Sequence, residues 1–144
     1  MTIQALAIQP YHPADEAALI RLWRDCGLTR PWNDPVKDIA RKLTVQAELF
    51  LVGKIDGAIV ATVMGGYDGH RGWVNYLAVS PAHQRRGYAT VLMHALETRL
   101  HDMGCPKINL LIRSGNLGVQ GFYKSLGFQL DEVVSLGKRL IPDT

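Results

Sequence analysis

A chain of 144 residues that is 47% hydrophobic carries enough apolar material for one domain with a closed core, and no linker-like or low-complexity run divides residues 1–144. The net charge of +3 comes from basic residues dispersed along the sequence, which argues against nucleic acid, and no stretch suits a secretion leader or a membrane span. Cys26 and Cys105 stand far apart with no C-x-x-C pair, so the expectation is a reduced, cytoplasmic protein without a disulfide framework.

Residues 5–9 read as a short first strand. Pro13 suits a first helical turn, and Ala17, Ile20, Leu22 and Trp23 supply a helix face that ends near Gly27. Cys26 closes that face and reads as a buried structural thiol, because a nucleophilic cysteine wants an electropositive setting. Pro31 and Pro35 fix an irregular loop, and Asp34 can cap a helix from 35 to about 45 with Ile39 and Leu43 inward. Residues 48–55 predict a strand, Asp56-Gly57 a hairpin turn, and residues 58–64 its return. The run Gly65-Gly66-Tyr67-Asp68-Gly69-His70-Arg71-Gly72 is too glycine-rich for regular structure and predicts a wide hairpin tip; no Gly-Lys-Ser/Thr follows to make it a P-loop.

The chain then enters the stretch around which the rest is organised. Residues 73–79 are apolar and aromatic with β-branched members, bounded by Ser80-Pro81, and predict a central strand. Ala89, Leu92, Met93, Leu96, Leu100 and Met103 recur at helical spacing, with Gly104 as the stop. Between strand and helix lies Gln84-Arg85-Arg86-Gly87-Tyr88-Ala89. A helix start leaves backbone N–H groups without partners and carries partial positive charge, so it holds phosphate when the backbone can be approached. Gly87 and the small Ala89 permit that approach, and Arg85 and Arg86 add charge; a plain cap with two solvated arginines is the alternative. Further on, residues 107–113 predict a strand, Ser114-Gly115-Asn116 a turn, residues 117–126 a helix ending at Gly127, and residues 128–134 and 135–141 two final strands. His94, His101 and Cys105 match no zinc spacing, the two histidines read as solvated, and no metal is expected.

Gln84-x-x-Gly87-x-Ala89 after Leu77-Ala78-Val79 resembles the coenzyme A signature of the GNAT superfamily of N-acetyltransferases. Asn116 followed by Phe122-Tyr123-Lys124-Ser125-Leu126-Gly127-Phe128 is similar to a second segment of those proteins, in the expected order. More narrowly, Arg30-Pro31-Trp32-Asn33-Asp34-Pro35, the 65–72 run and Leu136-Gly137-Lys138-Arg139-Leu140 resemble the small bacterial YpeA-type acetyltransferases. The resemblance implies an α/β (α+β) fold, a mixed, mostly antiparallel sheet with helices on both faces, and acetyl-CoA as donor. It implies that strand 73–79 parts from strand 107–113, that the pantetheine arm pairs with Leu77 and Val79, and that the pyrophosphate meets the N–H groups of Arg85, Arg86, Gly87, Tyr88 and Ala89, with Ala78, Gln84 and Thr90 also at the coenzyme. Tyr123 is implied as the acid that protonates the departing thiolate, and Asn116 as a contact to the coenzyme. The bland alternatives are a core tyrosine and a helix cap.

The implied reaction is direct attack of a primary amine, of a small molecule or peptide, on the thioester, with a backbone N–H such as that of Val79 at the developing oxyanion. Many relatives carry a glutamate on one of the two parting strands as base; residues 73–79 and 107–113 contain no carboxylate. Tyr76, Asp68, His70 or Asp34 acting through water stay open, as does a reaction without a dedicated base. Arg30, Trp32, Asn33, Asp68, His70 and Arg71 are the candidates for the acceptor side. Arg30, His70 and Arg71 suit a carboxylate on the acceptor, whereas Asp34 and Asp68 suit a polyamine or peptide amine. A homodimer is possible, and a non-catalytic acyl-CoA-binding module is the alternative function.

Overall fold

The hairpin turn written into Asp56-Gly57 sets the sheet. Both residues take positive φ, 49° and 79°, which folds strand β2 (Phe50–Ile55) onto β3 (Ala58–Tyr67). In the computed structural model, which describes residues 4–144, β1 (Ala7–Pro10) and β4 (Gly72–Val79) add antiparallel on either side. The short β5 (Ile108–Leu110) joins β4 in parallel, giving the order β1-β2-β3-β4-β5. The sheet is thus mixed and mostly antiparallel.

Strand alternation then distributes the core to two faces. Leu51, Ala61, Val63 and Val74 face helix α3 (Tyr88–Asp102), whose Leu92, Met93, Leu96 and Leu100 are fully buried, and α4 (Leu117–Ser125) adds Tyr123 to the same layer. Phe50, Val52 and Ala78 face helix α1 (Glu16–Asp25) with Leu19, Ile20, Leu22 and Trp23, together with Ile39 of α2 (Pro35–Lys42). A one-turn 3-10 helix, Pro13–Asp15, leads into α1, and Asp34 caps α2 by accepting from the Val36 N–H at 2.9 Å. No helix among the described residues is long and apolar enough to cross a membrane.

One irregularity positions everything that follows. Thr62 pairs with Ala78 but Met64 pairs with Asn75, so β4 spends one more residue than β3 over this interval. The extra residue is a bulge, and Tyr76 within it takes φ 52°. Its consequence is visible in the packing: Val74 and Ala78 have the same parity in sequence yet lie on opposite faces of the sheet.

Several boundaries differ from the sequence expectation. The 65–72 run is not irregular: β3 continues to Tyr67, β4 begins at Gly72, and only residues 68–71 turn. Those glycines are there for close approach, since a Cβ on Gly65 would strike the Leu96 side chain and one on Gly72 would lie 2.8 Å from the Cys105 sulfur. Leu43 and Met103 are exposed, because α2 stops at Lys42 and Met103 only caps α3. The strand expected over 107–113 pairs only at Ile108–Leu110, since the bulge draws β4 away from it. Residues 128–141 form no strands. Their alternating apolar residues join no ladder, although the outer edge of β5 is open, and Leu130, Val133, Val134, Leu136 and Leu140 stay exposed. Side chains hold this segment instead: Asp131 accepts from Lys107 and Asn109 at 3.0 and 2.8 Å, and Arg139 donates to Asn33.

Candidate active site

Where β4 and β5 part, a cleft of about 750 Å³ opens, a size that suits a small-molecule site. Its floor is β4 from Val74 to Leu77, one wall is Leu110 to Arg113 with Asn116, Val119 and Tyr123 of α4, and the other is the α1–α2 loop with α2.

Tyr76 is the hinge between these walls. Its ring stacks on Trp23 with centroids 3.9 Å apart, and Trp23 in turn stacks on Phe50. The Trp23 indole donates to Thr62 Oγ1 at 3.0 Å, and that hydroxyl donates to the Tyr76 carbonyl at 2.9 Å. A bulky residue with positive φ is costly, so this aromatic stack and hydrogen-bond chain are what hold the bulge in place. The Tyr76 phenol donates to Asp38 Oδ2 at 2.6 Å, and burial, then that bond and charge, push its pKa far up. Asp38 stands on α2 and is also paired with Arg41 at 3.3 Å. One turn on, Lys42 lines the same wall; burial lowers its pKa, and its ammonium donates to the Gly65 carbonyl.

Tyr123 is buried, 7% exposed, between Phe122 and Phe128, whose rings meet it edge-on at 5.1 and 5.3 Å. Burial pushes its phenol up to about 12, so it holds its proton at neutral pH. Asn116 lines the cleft and also caps α4, its side-chain oxygen accepting from the Val119 N–H at 3.2 Å. The cap and the cleft-lining position are compatible, because the cap uses only the oxygen.

The other expected residues divide. Leu77 lines the cleft, whereas Ala78 is packed against α1 and the Val79 carbonyl accepts from Gln84 at 3.0 Å and from the Cys26 thiol at 3.3 Å. Burial first, then Asp25, raise the Cys26 thiol, which suits a structural role. At the α3 start, Arg85 and Gly87 both take positive φ, 64° and 81°, and no side chain caps the helix. Arg85 and Arg86 are exposed, Ala89 and Thr90 half-buried, and Tyr88 is buried with its hydroxyl donating to the Gln4 carbonyl at 2.8 Å.

Of the residues expected on the acceptor side, Arg30 and Asn33 line the cleft, and Trp32, outside its lining, meets the Arg113 guanidinium, 5.8 Å from the ring centroid. Asp68, His70 and Arg71 do not line it. Asp68 caps the β3–β4 turn, accepting from the His70 and Arg71 N–H groups and the Trp73 indole at 2.8, 2.7 and 3.2 Å. Those bonds lower its pKa. Asp38, Arg41, Lys42, Asn75 and Arg113 line the cleft although the sequence did not single them out. A polar stripe at 38, 41 and 42 of α2, flanking buried Ile39, was the signal present.

The sequence profile of the acetyltransferase (GNAT) family matches residues 15–128. The chain belongs to this family. An acetyltransferase of Yersinia enterocolitica is 48% identical over 138 residues, covering 96% of this chain and 98% of its own length. One of Pectobacterium atrosepticum is likewise 48% identical, with 96% and 98% covered. Among solved structures, Ard1 from Thermoplasma volcanium superposes with a TM-score of 0.77 at 24% identity, covering 89% of this chain and 85% of that one. AAC(6')-Iy, in complex with the bisubstrate analogue CoA-S-monomethyl-acetylneamine, gives 0.77 at 17% identity, with 94% and 99% covered. At such identities the structural likeness speaks for the fold, while family membership makes this protein an acetyltransferase. Among the described residues no group of three or more potential ligands is gathered for a metal ion.

Proposed function

We propose that this acetyltransferase moves the acetyl group of acetyl-CoA to a primary amine by direct attack within the β4–β5 cleft. The observation that carries this reading is the buried Tyr123 on the wall of a cleft that the β4 bulge opens. The uncapped start of α3, just beyond β4, supports the donor half: its free N–H groups, with Gly87 and Arg85 in left-handed conformations, suit the pyrophosphate. Beyond Val74 the β5-facing side of β4 has no ladder partner, which suits the amides of the pantetheine arm and a donor to the oxyanion.

In the reaction the neutral amine nitrogen bonds to the thioester carbon and the carbon–sulfur bond breaks. Tyr123 gives its proton to the sulfur, and the proton shed by nitrogen as the amide forms restores the phenol. A free thiol titrates near ~8.5, well below this phenol. The apolar wall that raises Tyr123 also raises the basicity of a thiolate expelled against it, which narrows that mismatch. The acceptor first loses a proton from an ammonium of pKa about 10.4. With no carboxylate on β4 or β5, Asp38 on α2, joined to β4 through Tyr76, is the carboxylate in the cleft lining that could take this proton.

The test is calorimetric titration of acetyl-CoA into wild type, Gly87→Glu and Tyr123→Phe, with thiol release followed for a panel of amines. The expected result is binding abolished by the glutamate, whereas Tyr123→Phe binds normally but turns over ~10²–10⁴-fold more slowly. Binding without turnover of any amine would favour a non-catalytic acyl-CoA module. No binding at all would overturn the reading.

A further inference from the structure

The cleft holds more positive charge than its own chemistry needs. Arg30, Arg41, Lys42 and Arg113 line it, against the single carboxylate of Asp38. Arg41 is already engaged, paired with Asp38 and with Asp143 at 3.3 and 2.7 Å. Arg30 turns one nitrogen back to the Gly27 and Thr29 carbonyls. Lys42 and Arg113 have no carboxylate within ion-pair distance among the described residues; Lys42 meets only the Gly65 carbonyl and Arg113 only the Trp32 ring. Burial lowers the Lys42 pKa and the charge of Glu48 offsets this only in part, so an anion beside the half-buried ammonium relieves a cost that remains.

The donor does not account for this charge. Its phosphates belong at the α3 start, which is no part of the cleft lining, and the pantetheine arm in the cleft is neutral. The two acidic residues that suited a polyamine are committed elsewhere: Asp34 caps α2 and Asp68 caps the β3–β4 turn. What the cleft retains is one negative pole, Asp38 with the Tyr76 phenol, and a positive rim.

We propose that the acceptor is a small amine that also carries an oxyanion, its ammonium group drawn to Asp38 and its anion held by Lys42 and Arg113. This rests on the acetyltransferase reading above and names the substrate class of that site. A carboxylate and a phosphate share the required chemistry. The planar guanidinium of Arg113 offers a two-pronged contact to either, and Lys42 supplies a point charge.

The experiment compares kcat/KM, at saturating acetyl-CoA, for amino acids, their carboxamides, aminoalkyl phosphates and a diamine. Removing the anion from an amino acid by amidation is expected to cost roughly tenfold or more, the size of one lost charge-assisted contact. A preference for aminoalkyl phosphates over amino acids, or the reverse, identifies the anion. In Lys42→Gln and, independently, Arg113→Gln, the discrimination between each anionic amine and its neutral partner should collapse towards one. Lys42→Glu should swing preference to the diamine. Should no amine turn over, calorimetric binding of N-acetyl amino acids against their carboxamides decides the same question. Equal or better use of carboxamides, diamines or peptide amines, or Lys42 and Arg113 variants that lose activity equally on every amine, would overturn the proposal. In either case measured acetyl-CoA binding keeps the parent reading intact; loss of that binding in wild type would strike the parent reading instead.

Discussion

The two parts of the proposed site, the α3 start and the cleft, are built by different means. At the α3 end, the chain offers backbone: positive φ at Arg85 and Gly87, an uncapped helix, and arginines exposed around it. At the α2 end, it offers side chains brought from α1, α2, β4 and β5 to one place, with Tyr76 as their meeting point. Backbone recognition needs only a local sequence that folds into the right turn, so it tolerates changes far away. A side-chain constellation depends on packing across the whole sheet. The donor end should therefore be robust to core damage, and the acceptor end should not.

Trp23→Ala breaks this comparison most strongly. Trp23 is fully buried between Phe50 and Tyr76, and its loss should cost ~3–5 kcal/mol in chemical denaturation. In the folded fraction it should raise the KM for the amine more than that for acetyl-CoA, because it frees the bulge but leaves the α3 start alone. Thr62→Val is milder and more pointed. It leaves the buried Trp23 indole and the Tyr76 carbonyl without their partner, at a cost of about 2 kcal/mol, with the same bias towards the acceptor. Gly87→Ala tests the other end: a Cβ at φ 81° meets no neighbour, so the cost is backbone strain alone, about 1–2 kcal/mol. Its kinetic effect should fall on acetyl-CoA affinity and spare the amine. Equal effects of Trp23→Ala and Gly87→Ala on both substrates would mean that the two ends are not separable.

The same contrast explains what was legible beforehand. The Asp56-Gly57 turn, the stripe of α3 and the Gly87 turn are short-range patterns, and each is found where its residues predicted it. Tyr123 and Asn116 were legible from a local segment as well, and both line the cleft. Asp38 was not, since its importance arises only when a bulge turns Tyr76 towards α2, and a bulge leaves no mark in an apolar run such as Trp73 to Val79. Gly65 and Gly72 misled for a related reason: glycine serves a turn and a close helix contact equally well, and only the packed Leu96 and Cys105 distinguish them. Residues 128–141 carry strand-like alternation, yet beside the open edge of β5 they are held by side-chain bonds from Lys107 and Asn109 to Asp131 and form no backbone ladder, which alternation alone does not reveal.

The subtlest test concerns how the acceptor wall is fastened. Asp143, though far off in sequence, accepts from Arg41 at 2.7 Å and from the Asp34 N–H at 2.6 Å, tying residues 139–143 to the start and the last turn of α2. The Arg41 hydrogen bond, then that of Asp34, hold its carboxyl down to about 2. A carboxylate whose folded pKa lies below its unfolded value of ~3.9 adds stability that is complete above that value and lost as the pH falls through the folded one. Asp143→Asn should therefore melt below wild type throughout the neutral range, with the gap shrinking between about pH 4 and pH 2 and closing under acid. Since Arg41 also pairs with Asp38, the variant should raise the KM for the amine at neutral pH while acetyl-CoA affinity holds. Thermal unfolding from pH 2 to 8 reads the first effect and steady-state kinetics the second. A gap that widens in acid would show that Asp143 does not act through its charge, and a lost acetyl-CoA affinity would show that this clasp reaches the donor end, against the division drawn here.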